Sequence, residues 1–120
     1  MGDHEDRRET VAFAGTDTFV YGTIFSRSTA SGKLALYVKG GATDGNGVPV
    51  AILLDSSINR TGAGDVTGVL VLTSGKVRKD KLVIDADGNS TNIDAVVMSL
   101  LQSQGISVTT ALDHAVANNF

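Results

Sequence analysis

The residues with the best prospects for chemistry lie in two polar, glycine-bearing stretches. Asp85-x-Asp87-x-Asn89 has the spacing that opens a calcium-binding loop, in which alternating oxygen side chains converge on one cation. The loop also needs a glycine at its sixth position and a bidentate glutamate at its twelfth. Ser90 and Val96 stand there instead, so the stretch reads as a polar turn. Gly40, Gly41, Gly45 and Gly47, with Asp44 and Asn46 among them, resemble a phosphate cradle only in glycine content. No Lys-Ser or Lys-Thr pair follows, and the next apolar run reads as a strand rather than the helix a phosphate loop requires. Gly62-Ala63-Gly64 lacks the third glycine and the helix of a dinucleotide site. The two histidines, His4 and His114, have no partners at metal-ligand spacing, there is no cysteine, and no Gly-x-Ser-x-Gly elbow occurs. Asn89-Ser90-Thr91 is a glycosylation sequon in form only, since no secretory signal precedes it. The sequence therefore predicts no catalytic residue, no metal and no cofactor, and a protein that is not an enzyme.

The surrounding pattern is that of a β scaffold. Between Gly32 and Lys81, three apolar, β-prone runs (Leu34 to Val38, Val50 to Leu54 and Val66 to Leu72) alternate with glycine-rich turns, which suggests a compact antiparallel unit. Val50 to Leu54 is apolar throughout and so should be covered on both faces. Pro49 suits a strand start. Gly68 suggests a bulge, Gly75 a tight turn into Lys76-Val77-Arg78, Asp55 to Asp65 a polar loop, and Lys81 to Ile84 a short strand. Before this core, Thr18 to Tyr21 and Thr23 to Phe25 read as strands, and Ser26 to Gly32 as a small-residue linker. Phe13, Phe19, Tyr21 and Phe25 are expected to cover one side of the sheet.

The period changes near residue 92. Ile93, Val96, Val97, Leu100 and Leu101 recur at helical spacing, predicting a helix over about 92–104 with Thr91 as N-cap, Asp94 in its first turn and Gly105 just past its end. Ile106 to Thr109 suits a closing strand, and Ala111 to Phe120 has weak helical character. Residues 1–12 are expected to form a flexible arm, because Met1 to Thr10 is too polar to join a core, and 13–120 a single β-rich domain with one helix.

With 120 residues, a net charge of −3 and 5% aromatics, the chain has neither the basic footprint of a nucleic-acid binder nor stacking platforms for single strands. Its densest cation group is Lys76, Arg78, Lys79 and Lys81. No apolar run approaches the roughly 20 residues that span a bilayer. No nucleic-acid or membrane partner is expected.

Lys33-Leu34-Ala35-Leu36-Tyr37, then Gly41-Ala42-Thr43-Asp44-Gly45, then Val48-Pro49-Val50-Ala51-Ile52-Leu53 resemble, in order, segments of the head decoration proteins of tailed phages, the lambda D-like family. Thr73-Ser74-Gly75-Lys76-Val77-Arg78, followed by Asp80 and Leu82, is similar to a later family pattern. The likeness covers about Thr23 to Leu82. The arm is shorter and less proline-rich than in the family, the family's tryptophans are missing, and Arg8 to Thr16 looks like a segment found near the family's C-terminus.

The resemblance implies a mainly β, β-clip-like or β-tulip fold with a C-terminal helix, and a homotrimer. It implies a cementing role on the outer surface of the expanded phage head, at local three-fold axes, with the major capsid protein as partner. It places the capsid contact in the arm and the strand that follows, at Arg7, Arg8, Thr10, Val11 and Phe13. The contrasting reading is a small ligand-binding or hydrolytic β module with a pocket around Asp44, Asn46, Asp85 and Asp87. A virion or secretion-system adaptor on the same β core is a third.

Overall fold

The computed structural model describes residues 5–38, 40–42, 44–78, 81–84, 93 and 95–109. Eight strands and one helix are described: β1 (Glu5–Phe13), β2 (Asp17–Val20), β3 (Ile24–Arg27), β4 (Leu34–Leu36), β5 (Ala51–Leu53), β6 (Ser57–Arg60), β7 (Gly64–Arg78), α1 (Ala95–Ser103) and β8 (Ile106–Thr109). The mainly β architecture with one C-terminal helix is the one expected. The main sheet runs β1-β4-β3-β5-β7-β8, and β1 also pairs with β7, so the first five of these close into a ring. A two-stranded sheet, β2-β6, stands beside it.

The central strands are apolar on both sides, for the reason the Val50 to Leu54 run suggested. Successive side chains point to opposite faces of a sheet. Phe25, Ala51, Leu53, Val69 and Val71 enter one core, together with Val11, Phe13, Phe19 and Leu34. Ile24, Ile52 and Leu72 enter another, with Tyr37, Leu82, Ile84, Ile93, Val97, Leu101 and Ile106. On the first face Phe13 stacks on Phe19 at 4.3 Å between ring centroids. Phe19 meets Phe25 edge-on at 5.8 Å. Each such pair adds about 0.5–1.5 kcal/mol beyond area burial. Tyr21 does not join this layer; it is 46% exposed.

The helix covers the second face. Val97 and Leu101, four residues apart, form its buried line, and Ile93 is buried just ahead of it, whereas Val96 is 63% exposed. The stripe is thus narrower than the sequence implied. Gly105 ends the helix at φ +91°, a left-handed conformation that favours glycine. Its N–H donates to Gln102 O at 3.0 Å and its carbonyl accepts from Gly75 N at 3.0 Å. The turn thereby delivers Ile106–Thr109 alongside β7 as the expected closing strand, parallel to residues 75–78. Thr91 and Asp94, the proposed helix start, lie outside the described residues, as do Asp85, Asp87 and residues 111–120.

Several local expectations change. Gly75 is not a turn: β7 runs through it for 15 residues, accommodated by φ +134°. Asp55 to Asp65 is not all loop, because Ser57–Arg60 pairs in register with Asp17–Val20. The Lys81 to Ile84 strand reduces to one bridge, Val83 to Thr23. Two pairings, β1–β4 and β7–β8, are parallel rather than antiparallel. Glu5 to Thr10, assigned to the arm by its polarity, lies in β1 against β7. Main-chain bonding to a long apolar strand supplies what the polar side chains do not. Gly68 does mark a bulge: at φ +69° it sits where the β1–β7 register shifts between Glu9 and Val11.

Candidate functional site

The five candidate contact residues all fall on β1, which the pairing with β7 divides into two parts. The inner part is core: Val11 is fully buried and Phe13 is 4% exposed, stacked on Phe19. These two side chains support the aromatic layer and present no surface to a partner. The outer part is polar and exposed from Glu5 to Arg8. Arg7 lies opposite Val71 and Arg8 opposite Leu70. Arg8 Nη1 donates to Gly68 O at 2.9 Å, tying the arginine to the bulge. Thr10 is half-buried at the register shift itself.

Pairing of β1 is one-sided along this outer part. Glu5 to Glu9 match residues of β7, while β4 meets β1 only at Val11. No described strand pairs with the other edge of the outer part. Such an edge is a template for an added strand. The strand is anchored where the two parts join. Arg27 bonds both oxygens of Glu9, at 3.2 Å and 3.1 Å, and also donates to Gly32 O at 2.9 Å. A forked arginine–carboxylate pair fixes geometry as well as charge. Sequence reasoning missed this pair, because Glu9 and Arg27 meet only after β1 and β3 have folded into one sheet.

The alternative pocket has half its expected lining in place. Asp44 and Asn46 border a cavity of about 320 Å³, together with Asp17, Ser26 and Ser28. Asp44 is engaged rather than poised. Its carboxylate accepts from Ser28 Oγ at 2.5 Å, Thr29 Oγ1 at 2.5 Å and the Ala30 amide at 3.0 Å. The Ser28 and Thr29 hydroxyls, then the Ala30 amide, hold its pKa below the ordinary 3.8. A carboxylate so satisfied is a clasp between two turns, and a depressed pKa is the wrong direction for a general base near neutrality. Asp85 and Asp87 fall outside the described residues, as do His4 and His114. Among the described residues no three His, Cys, Asp or Glu side chains group as a metal site.

A feature the sequence signalled only as a loose cation cluster is better formed. Lys76, Arg78 and Lys81 line a groove of about 300 Å³ whose floor includes Ile52, Leu54 and Leu72. Lys79 lies outside the described residues.

The comparisons bear on the whole arrangement. No curated protein matches the chain significantly. A family model for the bacteriophage lambda head decoration protein D matches residues 2–106, a span that takes in every strand from β1 to β7, the helix and the start of β8. The match extends the likeness seen over Thr23 to Leu82 in both directions, and the chain belongs to the bacteriophage lambda head decoration protein D family.

Proposed function

We propose that the chain is a cementing protein that binds as a homotrimer to the outside of the expanded head at local three-fold axes. There it contacts the major capsid protein through the outer part of β1 and holds the shell against DNA pressure. Family membership supports a capsid-decorating role in the virion. The observation that carries the finer reading is the exposed segment 5–8, paired to β7 along one edge only. An extended capsid segment added to that edge would gain main-chain hydrogen bonds, with Arg7 and Arg8 setting register and charge. A three-fold assembly needs a head-to-tail interface between two different patches. Three such contacts per trimer add through multivalency, so weak individual contacts suffice to bridge neighbouring subunits.

Co-sedimentation with expanded heads tests this. Arg7→Glu/Arg8→Glu should weaken head binding about tenfold or more, because charge reversal at a rim penalises the encounter and the complex alike. Thermal unfolding should fall only slightly, since both side chains are exposed and the Arg8 bond to Gly68 O that is lost lies at the surface. Undiminished binding of the double variant would remove β1 from the contact. A monomer in sedimentation at micromolar concentration would overturn the trimer.

A further inference from the structure

The groove beside β7 is not used by the capsid contact proposed above. Its floor is aliphatic (Ile52, Leu54 and Leu72) and its lining carries Lys76, Arg78 and Lys81, with no described carboxylate among the lining residues. The three cations are exposed. They gather on a chain whose net charge is −3, so the described lining of the groove is opposite in sign to the whole molecule. Tyr21 stands at the same groove, 46% exposed. At about 300 Å³ it sits at the lower limit of ligand pockets, room for a few side-chain groups rather than a cofactor.

We infer that this groove is a second docking site, for a short acidic peptide segment carrying aliphatic side chains, supplied by a partner protein. The aliphatic groups fill the floor and the carboxylates meet Lys76 and Lys81. Each half of that chemistry excludes an alternative occupant. A purely apolar segment would leave Lys76 and Lys81 facing low-dielectric surface, and a fully hydrated polyanion would leave the floor wet. The inference stands apart from the capsid reading, because it concerns other residues and is tested on the isolated chain.

The probes are two capped peptides, acetyl-Leu-Asp-Ile-Glu-Leu-amide and its lysine counterpart, acetyl-Leu-Lys-Ile-Lys-Leu-amide. Resonances of Tyr21, Val77 and Leu82 report groove occupancy. The acidic peptide should shift them saturably, and its binding should weaken as salt rises to about 0.5 M, where exposed charges are screened within a few ångströms. Lys76→Glu/Lys81→Glu should weaken binding about tenfold. Should that variant misfold, Lys76→Met/Lys81→Met and the salt series on the parent chain give the same discrimination.

Equal binding of both peptides would overturn the inference, as would shifts confined to other residues or no shift at peptide concentrations on the order of millimolar. Self-association that the double variant abolishes would assign the groove to a second copy of the chain and overturn it equally.

Discussion

The two faces of the central strands solve the same burial problem in different ways. On one face three phenylalanines, Phe13, Phe19 and Phe25, interlock with aliphatic residues from β1, β4, β5 and β7 inside a closed ring of strands. On the other, a nine-residue helix and the segment 81–84 are laid over Ile24, Ile52 and Leu72, and the cover stops short of a groove rimmed by cations. The ring holds its core by closure, and the helix side holds its core by a lid of separately attached pieces. A closed ring leaves its centre no free edge, whereas an attached cover can expose part of the floor and so present a surface to a partner.

The sharpest way to break the helix side is at Gly22. Its amide donates to Leu53 O at 3.0 Å and its carbonyl accepts from Val83 N at 2.9 Å, so it joins the segment 81–84 to the sheet. A Cβ there would collide with the main-chain oxygen of Lys81, and the backbone is at φ +90°. Gly22→Ala therefore demands movement of the main chain at the junction as well as a strained conformation. Loss of soluble, cooperatively folding protein is expected, or destabilisation beyond about 4 kcal/mol. A circular-dichroism melt close to the parent's would show that the segment is not what secures this cover.

Core truncations compare the faces directly. Phe25→Ala should cost about 3–5 kcal/mol, because its neighbours are braced by the ring and cannot close the void. Leu101→Ala, equally buried, should fall at the low end of about 2–5 kcal/mol, since a short helix attached from outside can settle inward. Urea unfolding followed by far-ultraviolet dichroism measures both. The reverse ranking would mean that the helix layer is the more rigidly held of the two.

How much of this was legible in the sequence follows the same division. The central strands announced themselves: Val50 to Leu54 is apolar throughout because both of its faces are covered. The helix was legible from Ile93, Val97 and Leu101, and the bulge from Gly68 inside an apolar run. What stayed hidden depends on partners distant in the chain. Ser57-Ile58-Asn59-Arg60 has no strand-like pattern and is a strand because Asp17–Val20 bonds its backbone. The outer part of β1 is polar and is held by β7 some sixty residues later. Of the candidate contact residues, Arg7 and Arg8 are exposed, whereas Val11 and Phe13 are core, as the apolar character of both and the expected place of Phe13 in the aromatic layer already hinted. The groove joins Tyr21, Ile52, Leu72 and Lys81, and only its cations were close enough in sequence to notice.

The smallest expected effect lies at a surface clasp between two turns, where the loops are secured by hydrogen bonds rather than by burial. Asp44 accepts from Ser28, Thr29 and Ala30 and sits at φ +53°. Those donors favour the ionised carboxylate and hold its pKa below 3.8. A carboxylate whose folded pKa is depressed stabilises the fold above its unfolded value, and that contribution disappears as pH falls through the folded value. The substitution Asp44→Asn would keep the left-handed backbone, which asparagine tolerates, and would leave a side-chain amide to face the two hydroxyls. It would have no charge to lose. The variant should therefore melt somewhat below the parent at neutral pH, and the gap should close as pH is lowered from about 5 to about 2. Melting temperatures measured across that range decide the matter. A gap that stays constant would show that the clasp acts through shape alone, and one that widens at low pH would mean that the charge at Asp44 opposes folding.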